Sequence, residues 1–382
     1  MPRPKPAAIA LEPAQVAAWR LERQHLAPSA VATSVEAVAT DLIGVQAQVL
    51  SAAALAFAIR LRDGRVTDAT TAQAERRLVR GWGMRGTLHL WAADDYPVVV
   101  AAVGRRETWR RPVWFRYFGV TEAEMERLIE TIGEILGDGR PRTRAELAEE
   151  VGARLGQKQR ENLGGSWGTY LKPAAMRGLL CQAAGEGNTV TFTRPDVWIG
   201  RWRDVDPDEA LATLLRRYLR AYGPSTINEV GRWWGDRTSA IKPALASLGD
   251  EVVEVDVGAN RGLFLRDELA AVQAARPSSG PVLIGPFDPL TVGLGRRDWF
   301  IPAPHLTRVS RTAGWISPVV LIDGRAAGIW DSKRAGERLA ITVEMFERAS
   351  AAGRKAIAAA AERIAAAHGL QPSVAYGRVF GG

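Results

Sequence analysis

Cysteine is almost absent from this 382-residue chain; Cys181 is the only one. An intrachain disulfide and a cysteine-based zinc site are therefore excluded, and the expected compartment is the reducing cytoplasm. Histidine is nearly as scarce. His25, His89, His305 and His368 stand isolated, with no two at the i, i+4 spacing that sets a pair of ligands on one helix face, so no metal and no cofactor is expected. Long apolar runs are missing as well. The Ala-rich stretch from Val49 to Ile59 stops at Arg60, short of the roughly 20 residues that cross a bilayer. The start, Met1-Pro-Arg-Pro-Lys-Pro, has charges without an apolar segment behind them, so neither a signal peptide nor membrane association is expected. Phosphate-binding GxxxxGK[ST] and strand-linked GxGxxG motifs are also lacking.

What is present is an ordinary globular balance, with 47% hydrophobic and 24% charged residues. The 50 Lys and Arg against 42 Asp and Glu give a formal net charge of +8. Lysine supplies only six of those cations. Arginine is the better bidentate partner for phosphate and guanine, which suits nucleic acid. The same richness in Arg, Ala and Gly follows from a GC-rich genome, so charge alone suggests a partner without establishing one.

Apolar spacing organises the chain into an α+β fold: three tandem winged helix-turn-helix modules plus a small antiparallel β-barrel-like unit. The middle module, 121–204, is the clearest. Met125, Leu128, Ile129, Ile132 and Leu136 lie at helical spacing over 122–136. Thr143 with Glu146 forms a capping-box pair opening a helix over 144–151, a third helix is expected over 169–183, and Val190-Thr-Phe-Thr-Arg194 alternates like a strand. The next module, 205–276, repeats the plan with helices over 209–222, 227–234 and 238–248 and a hairpin of 252–257 with 262–265. The first module, 8–120, is longer, with helices over 35–43, 51–61 and 72–79 and a strand over 86–91. Strands over 281–284, 314–321 and 326–330, with Asp323-Gly-Arg325 as a turn, make the barrel-like unit of 277–346. A helix over 347–368 and a tail close the chain at 382.

Gly164-Gly-Ser-Trp-Gly168 matches a nucleophile elbow in form. That motif needs a buried strand before it. Gln157-Lys-Gln-Arg-Glu-Asn162 is too polar for one, and the segment reads as a turn. In the expected third helix, Lys172, Arg177 and Gln182 suit either a solvated face or contacts with phosphates and base edges. The most informative stretch is Asp41-Leu-Ile-Gly-Val-Gln-Ala-Gln-Val-Leu50. Residues i and i+2 diverge on a helix but share a side of an extended chain. With Gly44 breaking the helix, Gln46 and Gln48 face one cavity; the alternative is two amides that merely satisfy backbone groups.

At this point the sequence resembles a known family. Gly44-Val-Gln-Ala-Gln48, Met84-Arg-Gly-Thr-Leu-His-Leu90, Phe287-Asp288-Pro-Leu290 and Val320-Leu-Ile-Asp-Gly-Arg325 are similar, in order and over nearly the whole chain, to the blocks of the AlkZ/YcaQ bacterial DNA glycosylases. Gln-x-Gln resembles the AlkZ-like branch; the other branch carries Gln-x-Asp. The resemblance implies excision of N7-alkylated purines from double-stranded DNA by a monomeric enzyme. Bulky natural-product adducts and, in some members, interstrand crosslinks are included. It makes Gln46 and Gln48 the holders of the attacking water. The segment after Phe287-Asp288 departs from relatives, which often read Glu-Tyr-x-x-x-Tyr and end in Arg-Asp-Arg. Here it runs Pro289-Leu-Thr-Val-Gly-Leu-Gly-Arg-Arg-Asp-Trp299. Arg85 and His89, flanking the first wing, either line the lesion pocket or pin the wing; Arg296, Arg297 and Arg311 are candidates for phosphate contacts. Asp41 is the nearest upstream carboxylate, and its presence in the cavity would favour base catalysis. With no lysine beside the glutamines, no Schiff-base lyase step is expected. The rival reading is a non-enzymatic winged-helix DNA-binding protein, a regulator or lesion-sequestering factor.

Overall fold

The computed structural model describes residues 9–165, 168–185, 189–277, 280–294 and 299–379. The chain divides into two compact units, one of Met1–Ala69 with Leu215–Gly382 and one of Thr70–Leu214. Among the described residues no helix is long and apolar enough to cross a membrane. No group of three or more His, Cys, Asp or Glu among them is placed to hold a metal ion.

In the first unit, strand Ile9–Leu11 pairs parallel with Val252–Val257, which forms a hairpin with Asn260–Leu265. Leu11, Val16, Trp19, Val255 and Phe264 build the core beneath that sheet. Buried Glu268 fixes the helix Pro13–Arg23 over it by accepting Trp19 Nε1–H and Arg23 Nε–H, both at 2.9 Å. Helix Ile227–Trp234 opens with a complete capping box of Thr226 and Glu229 and is followed by Thr238–Ser247. Both agree with the expected bounds to within a residue.

A second sheet in this unit runs Val282–Ile284, Val319–Ile322, Arg325–Ala335, Arg338–Met345, Gln371–Tyr376. The first four strands are antiparallel; the last pair is parallel. Parallel neighbours need a crossover, and helix Ala351–Ala367 supplies it. The expected antiparallel barrel is thus corrected to an open sheet with a parallel edge. Strand Gln371–Tyr376 is not legible in the sequence, because six residues after a long helix carry little periodicity of their own. The strand expected from residue 314 begins only at Val319, after a turn over Thr312–Gly314.

The second unit carries a sheet in the order Leu88–Ala92, Leu78–Trp82, Cys181–Ala183, Thr191–Thr193, Arg142–Thr143. Helix Glu122–Ile135 buries Met125, Leu128, Ile129 and Ile132 as its spacing requires. Capping boxes at Thr121 and Thr143 start it and Arg144–Leu155. Three expectations fail here. The polar run forms helix Gln157–Gly165, which extends into the start of the expected turn, while Ser166 and Trp167 of the elbow-like motif lie outside the described residues. The helix over 169–183 stops at Met176 and gives way to strand Cys181–Ala183. Gly178 at φ +72 ends it, with Leu179 N bonded to Ala174 O and Gly178 N to Ala175 O, a Schellman motif. The helix over 72–79 is instead Asp68–Ala74 followed by strand Leu78–Trp82, because Arg76 adopts φ +62 and closes the same motif, with Arg77 N on Ala72 O.

Candidate active site

The helix Val35–Asp41 ends in a third Schellman turn, with Gly44 N on Ala39 O at 2.7 Å and Ile43 N on Thr40 O at 3.2 Å. The left-handed position is occupied by Ile43, φ +57, followed by Gly44 at φ +75. A β-branched residue there is a steric outlier, held only where its surroundings over-determine it. They do: Ile43 is 1% exposed, and the buried Tyr222 hydroxyl donates to Leu42 O at 3.0 Å. Burial keeps the Tyr222 phenol protonated by raising its pKa. Gly293 admits the ring, since a Cβ at that position would lie 2.2 Å from Tyr222 Cε1.

The chain leaves this turn extended through the strand Val45–Gln46. Val45 and Ala47 are buried, Gln46 is half-buried and Gln48 is exposed. The period-two alternation sets both carboxamides on the accessible side. The sequence treats them as buried amides; only their chain neighbours are. Asp41 lies on the exposed end of its helix, with Oδ2 2.8 Å from His25 Nε2, so the imidazole engages this carboxylate.

Helix Leu50–Ala58 follows immediately, and its far end is anchored by Arg60. Arg60 Nη1 and Nη2 donate to Asp288 Oδ2 and Oδ1, both at 2.8 Å, and Nη1 also reaches Ala56 O at 2.9 Å. Both side chains are fully buried. Asp288 Oδ1 further accepts Leu290 N at 3.0 Å, capping the short helix Pro289–Gly293. The family-like Phe287-Asp288 block is thus the internal partner of the glutamine segment's helix.

In the second unit, Arg85 (φ +55) and Gly86 (φ +66) form the turn between Leu78–Trp82 and Leu88–Ala92. Lys172 Nζ lies 3.6 Å from where a Gly86 Cβ would stand, and no hydrogen-bond or ion-pair partner holds it among the described residues. Burial lowers its pKa. His89 is 1% exposed; its Nδ1–H donates to Thr87 O at 3.0 Å beside the Trp91 ring. Burial first and the Arg85 charge second push its pKa down to about 3. Arg85, His89 and Lys172 therefore converge on one wing, and the His89 burial favours its wing-pinning alternative. Arg177 is elsewhere, held by Glu107 at 2.8 Å and Glu126 at 3.3 Å. Gln182 is buried in its strand. Arg311, in the first unit, is exposed beside the Thr312–Gly314 turn, while Arg296 and Arg297 lie outside the described residues.

A family model described as DNA glycosylase AlkZ-like matches residues 39–367. A Streptomyces sahachiroi protein named interstrand DNA cross-link repair glycosylase is 39% identical over 325 residues, 83% of this chain and 87% of that protein. The solved structure of Streptomyces sahachiroi DNA glycosylase AlkZ matches with a TM-score of 0.88 at 34% identity, covering 96% of this chain and 100% of that one. The chain belongs to the AlkZ-like DNA glycosylase family. As an AlkZ-like enzyme it is a hydrolase acting on N-glycosyl bonds in DNA.

Sequence reasoning missed the supports of the AlkZ-like glutamine segment: Ile43, Tyr222 and the Arg60–Asp288 pair. One signal was available, an arginine ending an otherwise apolar run.

Replacing Asp288 by Ala leaves a buried guanidinium unpaired and should lower unfolding free energy by about 3–5 kcal/mol in denaturant titrations. Tyr222→Phe removes one hydrogen bond, worth about 1 kcal/mol; single-turnover excision should slow while DNA affinity stays put. His89 binds fewer protons folded than unfolded, so its contribution is complete above about 6.5 and lost as pH falls toward about 3. The acid limb of a stability–pH curve below 6.5 should accordingly be shallower for His89→Asn than for the parent.

Proposed function

We propose that the chain is a monofunctional glycosylase for N7-alkylated purines in duplex DNA, with Gln46 and Gln48 positioning the hydrolytic water. The observation that carries this reading is the alternation over 45–48, in which both carboxamides share the accessible side of a strained, clamped segment. A DNA-binding regulator has no use for such a pair.

The chemistry is consistent with neutral amides. A carboxamide is not basic at neutral pH and is a poor general base. An N7-alkylguanine is already cationic, so its glycosidic bond is weakened and its leaving group needs little protonation. What remains is to orient a water and stabilise positive charge developing on the sugar, which two fixed carbonyl oxygens do by position and dipole. Water adds to C1′, the C1′–N9 bond breaks with its electrons going to the base, and the water's proton passes to solvent. Bulky adducts and interstrand crosslinks belong to the proposed range, supported by the name of the Streptomyces sahachiroi relative. A bulky lesion suits an open cleft better than a close-fitting flipped-base pocket.

Tandem winged helices in a monomer would carry the DNA. A β-paired residue just before or within a Thr-x-x-Glu capping box recurs, in strand Arg142–Thr143 with Glu146 and at the bridge residue Ser225 before Thr226 and Glu229. Both pair with a following hairpin, at Thr191–Thr193 and at Leu263. Lys172 and Arg85 are proposed phosphate or lesion contacts, as is Arg311.

With duplex DNA carrying one N7-methylguanine, Gln46→Ala and Gln48→Ala should each slow single-turnover formation of alkali-labile sites at nearly unchanged DNA affinity. Equal loss of binding in both variants would make the amides structural, and intact binding without excision by the parent protein would favour the regulator. Affinity should fall steeply with salt, as phosphate contacts require.

A further inference from the structure

The helix Pro112–Phe118 in the second unit is aromatic on two faces with opposite fates. Inward, Trp114 stacks on Tyr170 at 5.8 Å, Phe118 lies 4.7 Å from the same ring, and Phe115 meets Trp109 edge-on at 6.2 Å. Asn162 Nδ2 donates to Phe118 O at 3.1 Å, so the helix is seated on rigid packing. Outward, Val113 is 62% and Tyr117 81% exposed. The two are i and i+4, neighbours on one face.

The charges around this face are sorted. Arg105 pairs with Asp208, Arg110 with Glu107, Glu122 and Glu126, and Arg177 with Glu107 and Glu126. Arg111, two residues before Val113, and Arg116, next to Tyr117, are exposed, and no carboxylate pairs with either among the described residues. A ring left in water by a packed helix that also carries two uncommitted arginines fits a polyanion that also presents flat apolar faces. Two exposed side chains are far too little for a self-association surface, which needs about 800 Å² per partner.

We propose that Tyr117 is a wedge that stacks against a base of the substrate duplex, with Arg111 and Arg116 on the neighbouring phosphates. The inference deepens the glycosylase reading and rests on duplex DNA being the substrate. Opening a base step costs least where a lesion has already weakened stacking, so the wedge favours damaged sites without touching the reacting atoms.

The test uses the full chain and a duplex with 2-aminopurine beside a single N7-methylguanine, followed by stopped flow within one turnover. Binding of the parent protein should change 2-aminopurine emission; Tyr117→Ala should abolish that change and weaken affinity on the order of tenfold. Tyr117→Phe should retain both, and neither variant should shift the unfolding midpoint. Arg111→Ala and Arg116→Ala should each reduce the salt slope of binding by about one while keeping the emission change. Parental affinity and emission in Tyr117→Ala would overturn the wedge, as would a Tyr117-dependent dimer in sedimentation. A parent protein that shows the emission change but excises nothing would instead overturn the glycosylase reading and leave the wedge standing.

Discussion

The geometry around the glutamine segment depends on an ion pair that never meets water. Arg60 and Asp288 are 228 residues apart in sequence and bind each other through two parallel hydrogen bonds with no solvent exposure. Removing two charges from water is costly, and such a pair is tolerable only when its remaining hydrogen-bonding capacity is met. Ala56 O and Leu290 N largely meet it here. Set against an apolar pair, the gain in stability is small. We read its role as register: one alignment of helix Leu50–Ala58 against the short helix Pro289–Gly293 makes both Arg60–Asp288 bonds, and the longer helix begins two residues after Gln48.

The other end of the segment is fixed by strain and a clamp. Ile43 in a left-handed conformation is unfavourable in isolation, and it persists because Leu42 O is taken by Tyr222 and the side chain is buried. Between the strained turn and the anchored helix, Val45 to Gln48 has little freedom to reorient. Amides that act by position rather than by basicity need such restraint, because a fixed dipole stabilises developing charge only if it is already aimed.

A division of labour among cations runs through the second unit. Most arginines near helix Pro112–Phe118 are neutralised by carboxylates and hold the fold together. Lys172 beside the Arg85–Gly86 turn, and Arg111 with Arg116, have no such partner among the described residues. Sequence counts all of them alike as positive charge. The net value of +8 therefore overstates what is free for a polyanion and says nothing of where it sits.

By itself the sequence determined the amphipathic helices, the threonine–glutamate caps and the hairpin at 252–265, because periodicity and capping are local and act within a few residues. It also determined the Gln-x-Gln and the family it resembles. Helix ends at His25, Ile43 and Arg76 stayed hidden because residues other than glycine take the left-handed position, and only packing elsewhere in the chain makes that tolerable. Tertiary structure alone decided that the last sheet stays open, since a crossover helix delivers a parallel strand to its edge. It alone decided that Asp288 is paired with Arg60 in the interior, that Arg177 is committed to carboxylates, and that Tyr117 is left in water. Each of those outcomes depends on which distant residue arrives within bonding distance, and no local pattern encodes that.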